Sequence, residues 1–296
     1  MSPDGAKRPN RNPRPSTFRR DGESPDGAKR PNRDPRPSTF RRHGLRALKA
    51  LARGYSLGLL LLLWEFVPRM GLVAADILPP FSTTIRNVGT LIMEGELQRH
   101  VALSLVRQTA GLVLGVVGGV TLGVFMAWSR GVRAFFEPLL MLTNPIPKAA
   151  LIPLFMLWFG IGTFSKVMLI FVGTIIPVVI SSFHAVADVS RNHLWSARAM
   201  GDGTTRMLLR VVLPAASPQV LTGIRLGLIV SLIVLVGSEM LAGREGLGWF
   251  IAYTMETGAY DLTYASMLTI AVIGFCYDRL YLALMHRLLA WKEEGA

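Results

Sequence analysis

Cysteine and the usual catalytic motifs are almost absent from this 296-residue chain. Its one cysteine, Cys276, cannot form an intrachain disulfide framework or a cysteine-based zinc site. The five histidines show no metal-ligand spacing such as H-x-x-x-H. No glycine is followed by lysine, which excludes a P-loop. We therefore expect no metal site and no catalytic residue in this chain.

Acidic residues are also few, and the resulting basic charge is unevenly distributed. The chain has 32 Lys plus Arg against 19 Asp plus Glu, a formal net charge of +13. The first 53 residues hold 15 of the basic and 5 of the acidic residues. Within them, residues 2–20 recur at 24–42 with one difference, Asn12 against Asp34. Since Pro, Arg, Gly and Ser offer little to bury, we predict that 1–53 is a basic, largely disordered extension.

Binding to nucleic acid or anionic lipid is the alternative to a solvated extension. Phe18 and Phe40 are the only aromatic residues before Tyr55, whereas basic nucleic-acid-binding segments usually interleave aromatic residues. We therefore predict a solvated cytoplasmic extension. The protein as a whole is expected to contact membrane lipid and to bind no specific nucleic acid. A twin-arginine export signal at Arg41-Arg42 is a further alternative, which the apolar segments that follow argue against.

Long apolar runs dominate the rest of the chain, and 51% of all residues are hydrophobic. A helix needs roughly 20 apolar residues to cross a membrane. Six segments meet this requirement, near 54–74, 102–128, 135–159, 165–186, 218–241 and 264–288. The length of the runs favours helices over a barrel. We predict an all-α integral membrane protein with a transmembrane domain at 54–291 and a short C-terminal tail at 292–296.

The distribution of Lys and Arg predicts the orientation, because cytoplasmic loops carry more of them. With the basic extension inside, the other inside loops hold eight basic residues: Arg130, Arg133, Arg191, Arg198, Arg206, Arg210, Arg287 and Lys292. The outside loops then hold three: Arg86, Arg99 and Arg244. We therefore expect both termini to be cytoplasmic.

Four glycines in the second segment lie one helical turn apart: Gly111, Gly115, Gly119 and Gly123. They share one face of the helix, and small residues allow close helix packing in lipid. The pattern indicates a tight contact, either within the chain or between subunits.

A polar segment at 188–218 separates the fourth and fifth apolar segments. We predict two short helical stretches, 193–200 and 204–212, joined by a Gly-Asp-Gly turn at 201–203 where glycine can adopt positive φ. Two prolines are expected to end the second stretch and set the angle into the next helix: Pro214 and Pro218. Two short helices with a fixed elbow could transmit a partner's movement to the membrane helices.

This segment resembles the cytoplasmic signature of ABC importer permeases, E-A-A, three residues, Gly, nine residues, Ile, one residue, Leu-Pro. The matching positions are Ala197, Gly201, Leu213 and Pro214, with Val211 in place of the isoleucine. Trp195 and Ser196 depart from the signature, where Glu and Ala are expected. In that family the element is the coupling helix that seats on the ATP-binding subunit. The resemblance therefore implies that ATP and Mg bind a separate subunit and that this chain is not an enzyme.

The resemblance covers most of residues 54–291. The run from Asn144 to Lys166, together with Ile77-Leu-Pro-Pro80 and Gly246-Leu-Gly-Trp249, is similar to permeases for taurine, alkanesulfonates, nitrate and bicarbonate. It implies a type I importer permease in the bacterial inner membrane and a small anionic solute. The implied partners are a second permease copy, two ATP-binding subunits and a periplasmic or lipid-anchored solute-binding protein.

Ionisable residues at membrane depth are functional candidates, because burying a charge there is costly. We single out Lys148, among prolines, as a group that attracts an anion, with snorkelling or structural pairing as the alternative. Further candidates for the substrate pathway are Asn144, Ser181, His184, Ser231 and Glu239. Glu239 is expected near the outer end of its helix, where it contacts the external binding protein or faces water.

Two other classes of protein are weighed against this interpretation. An ion-coupled secondary transporter that works without an ATPase would need internal inverted repeats, which the sequence does not display, and it would leave 188–218 unexplained. An intramembrane enzyme would need paired carboxylates or a Ser/His set at membrane depth. The polar groups in the apolar segments are too scattered for such a site.

Overall fold

The computed structural model describes residues 55–201 and 203–293, and these residues are helical with no β-strand. The predicted extension at 1–53, with its repeat, lies outside the described residues, as do the last three residues of the predicted tail. The helices are α1 (55–69 as described), α2 (Phe81–Met93), α3 (Glu96–Trp128), α4 (Arg130–Thr143), α5 (Ile152–Phe159), α6 (Thr163–Ala187), α7 (Arg191–Ala199), α8 (Thr204–Met207), α9 (Leu213–Ala242), α10 (Leu247–Glu256), α11 (Tyr260–Leu288) and α12 (Ala290–Glu293).

Four of the described helical stretches are long and apolar enough to cross a membrane: α3, α6, the stretch Thr204–Ala242 and α11. They correspond to the second, fourth, fifth and sixth predicted segments, which confirms the all-α membrane fold. The first predicted segment appears as α1, of which the described part spans 55–69.

The third predicted segment is not one straight helix. Helix α4 is followed by a break and then by a short 3₁₀ turn, Lys148–Leu151, that leads into α5. The two halves meet at an angle of 95°. Pro145 and Pro147 lie in the break, where each lacks the N–H that a continuing helix requires. The segment is therefore a bent span or a re-entrant pair.

Helices α3 and α6 run parallel and are in close contact through the four glycines. Their α6 partners also lie one turn apart: Gly111 faces Ile170, Gly115 faces Thr174, Gly119 faces Val178 and Gly123 faces Ser182. A methyl group on any of these glycines would lie within 2.8 Å of the facing side chain. The predicted tight contact is thus made within the chain.

Helix α9 packs antiparallel on another face of α6 and completes a three-helix core. Gly227 of α9 approaches Thr174 and Val178, and Gly223 approaches Ser181. Thr174 and Val178 are fully buried. Because small residues line both neighbours of α6, its backbone lies close to α3 and to α9.

This packing predicts opposite effects for two alanine substitutions on α3. A methyl group at Gly115 would lie 2.5 Å from Cβ of Thr174, whereas at Gly118 its nearest neighbour is the flexible Cδ1 of Ile175 at 3.3 Å. We expect Gly115→Ala to destabilise the protein by about 1–3 kcal/mol through overpacking. Gly118→Ala should be neutral or stabilising, because alanine favours a helix over glycine by about 1 kcal/mol.

The melting temperature of the purified protein in detergent measures both effects, at about 2–4 °C per kcal/mol. A Gly115→Ala variant that melts no earlier than the Gly118→Ala control would contradict the packing described here.

Candidate functional site

A buried ion pair joins α3 to α9 near the end of the core where α3 and α6 begin. Arg107 Nη1 lies 2.7 Å from Glu239 Oε1, and both side chains are almost inaccessible to solvent. Arg107 Nη1 also donates to the carbonyl oxygen of Glu245 at 2.9 Å, and its Nε donates to Thr163 Oγ1 at 3.2 Å. One guanidinium group thus links α3, the start of α6, the end of α9 and the turn that follows.

The second oxygen of the Glu239 carboxylate holds the start of α10. Glu239 Oε2 accepts hydrogen bonds from Ser104 Oγ at 2.8 Å and from the Gly248 N–H at 3.0 Å. Ser104 Oγ accepts from the Leu247 N–H, and His100 Nδ1 accepts from the Gly246 N–H. Successive backbone N–H groups of the α9–α10 turn are therefore satisfied by side chains of α3 and α9.

Two glycines of this turn are required because a side chain at either position would collide with neighbouring atoms. Gly246 has φ of 113°, a region that side chains rarely adopt, and a Cβ there would overlap the Glu239 carboxylate. A Cβ on Gly248 would lie 2.6 Å from the Val236 carbonyl oxygen. The Gly-Leu-Gly-Trp sequence thus lets the backbone approach a buried carboxylate closely enough to bond it.

The position of Glu239 corrects one expectation. We expected its carboxylate to face water or an external protein, but it is fully buried. Its charge is compensated by Arg107, which lies within the second apolar segment and whose partner could not be identified from spacing. A buried charge without such a partner would cost several kcal/mol.

Ser231 lies in the same core and contacts the helix, α3, that also binds Glu239. Its hydroxyl donates to the Leu228 carbonyl oxygen at 2.6 Å and accepts from Gln108 Nε2. Ser104 and Gln108 occupy adjacent turns of α3, so α3 connects Ser231 to Glu239. The Gln108 Oε1 atom is buried and has no hydrogen-bond partner among the described residues. The structure therefore joins two of the predicted pathway residues through one face of α3.

Arg107 of the buried ion pair also lines an open pocket of about 510 Å³. Its walls come from three places: α3, the α5–α6 turn with the start of α6, and the α9–α10 turn. The lining residues are Arg107, Ile161, Gly162, Thr163, Lys166, Arg244 and Glu245. Lys166 Nζ donates to the carbonyl oxygens of Ile161 at 2.8 Å and Ala242 at 3.3 Å. The pocket thus gathers three cationic side chains from separate segments.

Lys148 and Asn144 lie together at the α4–α5 break, away from this pocket's lining. The Lys148 ammonium donates to the carbonyl oxygens of Thr143, Asn144 and Ile146 at 2.9 to 3.1 Å. An ammonium group has three protons, so these bonds account for all of them. The geometry favours the structural alternative, in which Lys148 satisfies carbonyl groups freed where α4 ends.

Ser181 and His184 lie toward the opposite end of α6. Ser181 is half-buried against Gly223, where it contributes to the α6–α9 contact. His184 is exposed beside Phe183, with ring centres 5.1 Å apart. Neither residue lines the cationic pocket, so the structure divides the predicted pathway residues among three locations.

The predicted coupling segment also lies at this opposite end and has one packed and one exposed side. Ala197 is fully buried and Met207 is 4% exposed, while Trp195 and Met200 are 62% and 75% exposed. Leu194 and Leu208 pack against a buried cluster formed by Ala185, Val186, Val212, Ala216 and Val220. Helix α7 and the residues that follow α8 are therefore seated on α6 and α9, and the Trp195 side chain is left exposed.

The elbow and the prolines of this segment differ in how well they match the prediction. Gly201 has φ of 80°, as expected for a glycine turn, whereas Gly203 has an ordinary φ of −68°. Pro214 and Pro218 were expected to end the second stretch, but the helix continues from Thr204 to Ala242. A π-helical turn at Leu208–Val212 precedes Pro214. Pro214 lies in the first turn of α9, where a missing N–H is tolerated, and the π turn before it has a wider backbone. The helical stretch therefore continues through Pro214 without interruption.

Val211 and Leu213, the remaining signature positions, flank the junction between this π turn and α9. Both are half-buried, and Val212 between them is buried. The signature therefore covers the whole connection from the elbow to the membrane helix.

Comparison with known proteins decides the family. Residues 119–289 match the family described as binding-protein-dependent transport system inner membrane component. This chain belongs to that family. It is the permease subunit of an ATP-driven ABC importer, which confirms the resemblance inferred from the signature.

Individual relatives agree with this assignment over most of the chain. The taurine transport system permease protein TauC of Escherichia coli is 34% identical over 81% of this chain and 89% of its own length. The putative aliphatic sulfonates transport permease protein SsuC of Bacillus subtilis is 31% identical over the same shares. A solved inward-facing structure of the MetNI methionine ABC transporter superposes with a TM-score of 0.58, covering 66% of this chain and 97% of that chain at 17% identity. This last likeness concerns the fold.

Sequence reasoning missed most of the residues that the permease brings together here. Arg107 is a charged residue within a predicted membrane segment, and that signal alone marks it as a candidate. Lys166 and Arg244 were noted only as part of a motif and of a loop. Their convergence depends on the parallel packing of α3 and α6, which composition does not reveal.

The buried ion pair of the permease predicts a large loss of stability when one partner is removed. Arg107→Gln leaves the Glu239 charge buried and uncompensated, which should cost about 3–5 kcal/mol. Arg225→Gln is the matched control, because Arg225 forms a similar pair with Asp278 at 2.8 Å but is 41% exposed. We expect it to lower the melting temperature much less.

A double variant separates the charge from the packing. Arg107→Met with Glu239→Leu removes both charges and should recover much of the stability lost in Arg107→Gln. Equal melting temperatures for Arg107→Gln and Arg225→Gln would show that burial does not determine the effect.

Proposed function

We propose that this permease imports a small sulfonate such as taurine, working as two copies with two ATP-binding subunits and an external solute-binding protein. Residues 54–291 form the permease domain, 1–53 precede it as a cytoplasmic extension and 292–296 follow it. Residues 188–218 are the coupling segment. ATP and Mg bind the partner subunits, and this chain converts their movement into exposure of the solute to one side or the other.

The observation that carries this proposal is the continuous helical stretch Thr204–Ala242. Its 39 residues span about 58 Å at 1.5 Å per residue. The coupling segment lies at one end and Glu239 near the other. A displacement of α7 and α8 therefore has a direct mechanical route to the ion pair and to the pocket beside it.

The exposed side of the coupling segment fits a docking role. Trp195 and Met200 are large, apolar and exposed, while the other side of the segment is held by α6 and α9. Trp195 replaces the usual glutamate, so we propose that it enters an apolar groove of the ATP-binding subunit in place of forming an ion pair. Aromatic side chains often anchor such contacts.

The distribution of basic residues supports the orientation in the inner membrane. The loops at the α7 end carry more Lys and Arg than the loops at the pocket end, so we place the coupling segment in the cytoplasm. The pocket then lies on the outer side, toward the solute-binding protein. Both termini are cytoplasmic in this arrangement.

The identity of the solute rests on the relatives. Two of them are named for taurine and for aliphatic sulfonates. Transfer of that substrate class to this chain is part of the proposal, as is homodimerisation. The expectation that Lys148 attracts the anion stays a prediction, and unaltered uptake by a Lys148→Met variant would eliminate it.

The elbow of the coupling segment offers a matched pair of variants. Gly201→Val introduces a side chain at φ of 80°, at an expected strain of about 1–3 kcal/mol, although no atom lies within 4 Å of its Cβ position. Gly203→Val places the same side chain at φ of −68°, also in open space. We expect Gly201→Val to reduce solute-stimulated ATP hydrolysis and co-purification of the ATP-binding subunit, and Gly203→Val to retain both.

Uptake of radiolabelled taurine tests the function itself, using the complete complex with its binding protein in proteoliposomes. We expect ATP-dependent uptake that unlabelled alkanesulfonates inhibit. Uptake that proceeds without ATP would refute the proposed mechanism, and ATP-dependent uptake of nitrate alone would refute the proposed solute.

A further inference from the structure

We propose that the pocket bounded by Arg107, Lys166 and Arg244 is an oxyanion-binding site of the permease, where the sulfonate group of the solute first binds after release from the binding protein. The identification of the ligand as a sulfonate rests on the proposed function. The existence of an anion site rests on the shape, charge and free donors of the pocket.

The shape suits a small molecule. The cavity of about 510 Å³ falls within the range of known small-molecule sites. Arg107 and Lys166 line the pocket although they are only 5% and 4% exposed, so they belong to a recess and not to a flat surface. A small anion that enters can reach them, whereas an acidic protein surface would meet mainly the exposed Arg244.

The charge in and around the pocket is positive. Arg107, Lys166 and Arg244 line it, and Glu245 is the one carboxylate in the lining. Glu245 pairs with Arg99, and Glu239 pairs with Arg107. These four cations and two carboxylates leave a net charge of +2, which favours an anionic ligand.

Each of the three cationic side chains that line the pocket has N–H groups that are not used in hydrogen bonds within the described residues. Arg107 uses Nη1 and Nε within the protein, and its Nη2 has no hydrogen-bond partner among the described residues. Lys166 gives two of its three protons to carbonyl oxygens. Arg244 forms no hydrogen bond or ion pair within the described part of the chain. Charge-assisted bonds from such groups to an oxyanion are strong.

The first turn of α6 adds to these donors. Helix α6 has 25 residues and begins at Thr163, which lines the pocket, and no side chain caps its N-terminus. Ser165 Oγ donates to the Gly162 carbonyl oxygen. A free helix N-terminus favours an anion through its N–H groups and its dipole. Ile161 contributes an apolar wall suited to the carbon chain of an organic sulfonate.

The test uses a cysteine placed in the pocket without removing a charge. In the full complex, Cys276→Ser removes the natural exposed cysteine, and Ile161→Cys places a thiol among the lining residues. The rate of modification is measured with an anionic and a cationic methanethiosulfonate reagent of similar size. We expect the anionic reagent to react about threefold faster or more, and methanesulfonate to protect the thiol better than chloride at equal ionic strength.

Two charge variants in this background locate the effect. Arg244→Gln should lower the anionic-to-cationic rate ratio by about twofold or more and weaken protection by methanesulfonate. Arg86→Gln removes one exposed positive charge from α2, which does not line the pocket, and should leave both quantities unchanged. Equal effects of the two variants would reduce the result to general surface charge and overturn the proposal.

Each remaining outcome is also decisive. Protection by methanesulfonate no greater than by chloride would overturn the anion site. Protection by the solute-free binding protein, without protection by methanesulfonate, would replace it with a protein-docking surface. Taurine uptake measured on the same complex is independent of labelling. Uptake without protection refutes only this inference, whereas protection without uptake of any sulfonate refutes the proposed function and leaves the anion site in place.

Discussion

The ion pair between Arg107 and Glu239 is the interaction on which the pocket end of the permease depends. A charge inside a membrane protein is tolerated only when it is paired and its remaining hydrogen-bonding capacity is used. Here Glu239 satisfies that requirement with Arg107, Ser104 and the backbone of Gly248. The pair therefore fixes α3 against α9 and holds the following turn in a shape that brings Arg244 to the pocket.

Close packing determines which parts of the permease move together. Glycines on α3 and α9 bring both backbones against α6, and Thr174 lies between Gly115 and Gly227 without free space. Packed interfaces of this kind switch between discrete arrangements more readily than they deform continuously. The bend between α4 and α5 has fewer such constraints. We expect conformational change to concentrate there, with the α3–α6 pair moving as one body.

The proposed function divides the work of import among several proteins. In the proposed assembly, energy and solute come to the permease from other proteins, so it needs a surface for each and a route between them. The exposed Trp195 lies at one end of the stretch Thr204–Ala242, and the cationic pocket lies at the other. In the proposed mechanism this one rigid helix couples the ATP-binding subunits to the solute. A rigid connection transmits displacement without requiring chemistry from the membrane helices.

The sequence by itself determined the helical membrane fold, the glycine face of α3, the elbow at Gly201 and the family. These features depend on local composition and spacing, which a linear chain displays directly. It did not reveal that Glu239 is buried, that the helix runs through Pro214, or that Lys148 is surrounded by carbonyl oxygens. Only the tertiary structure decided these points. It also brought Arg107, Lys166 and Arg244 together in the lining of one pocket. The partners lie far apart in sequence, and charge compensation in a low-dielectric interior depends on distances that only packing sets.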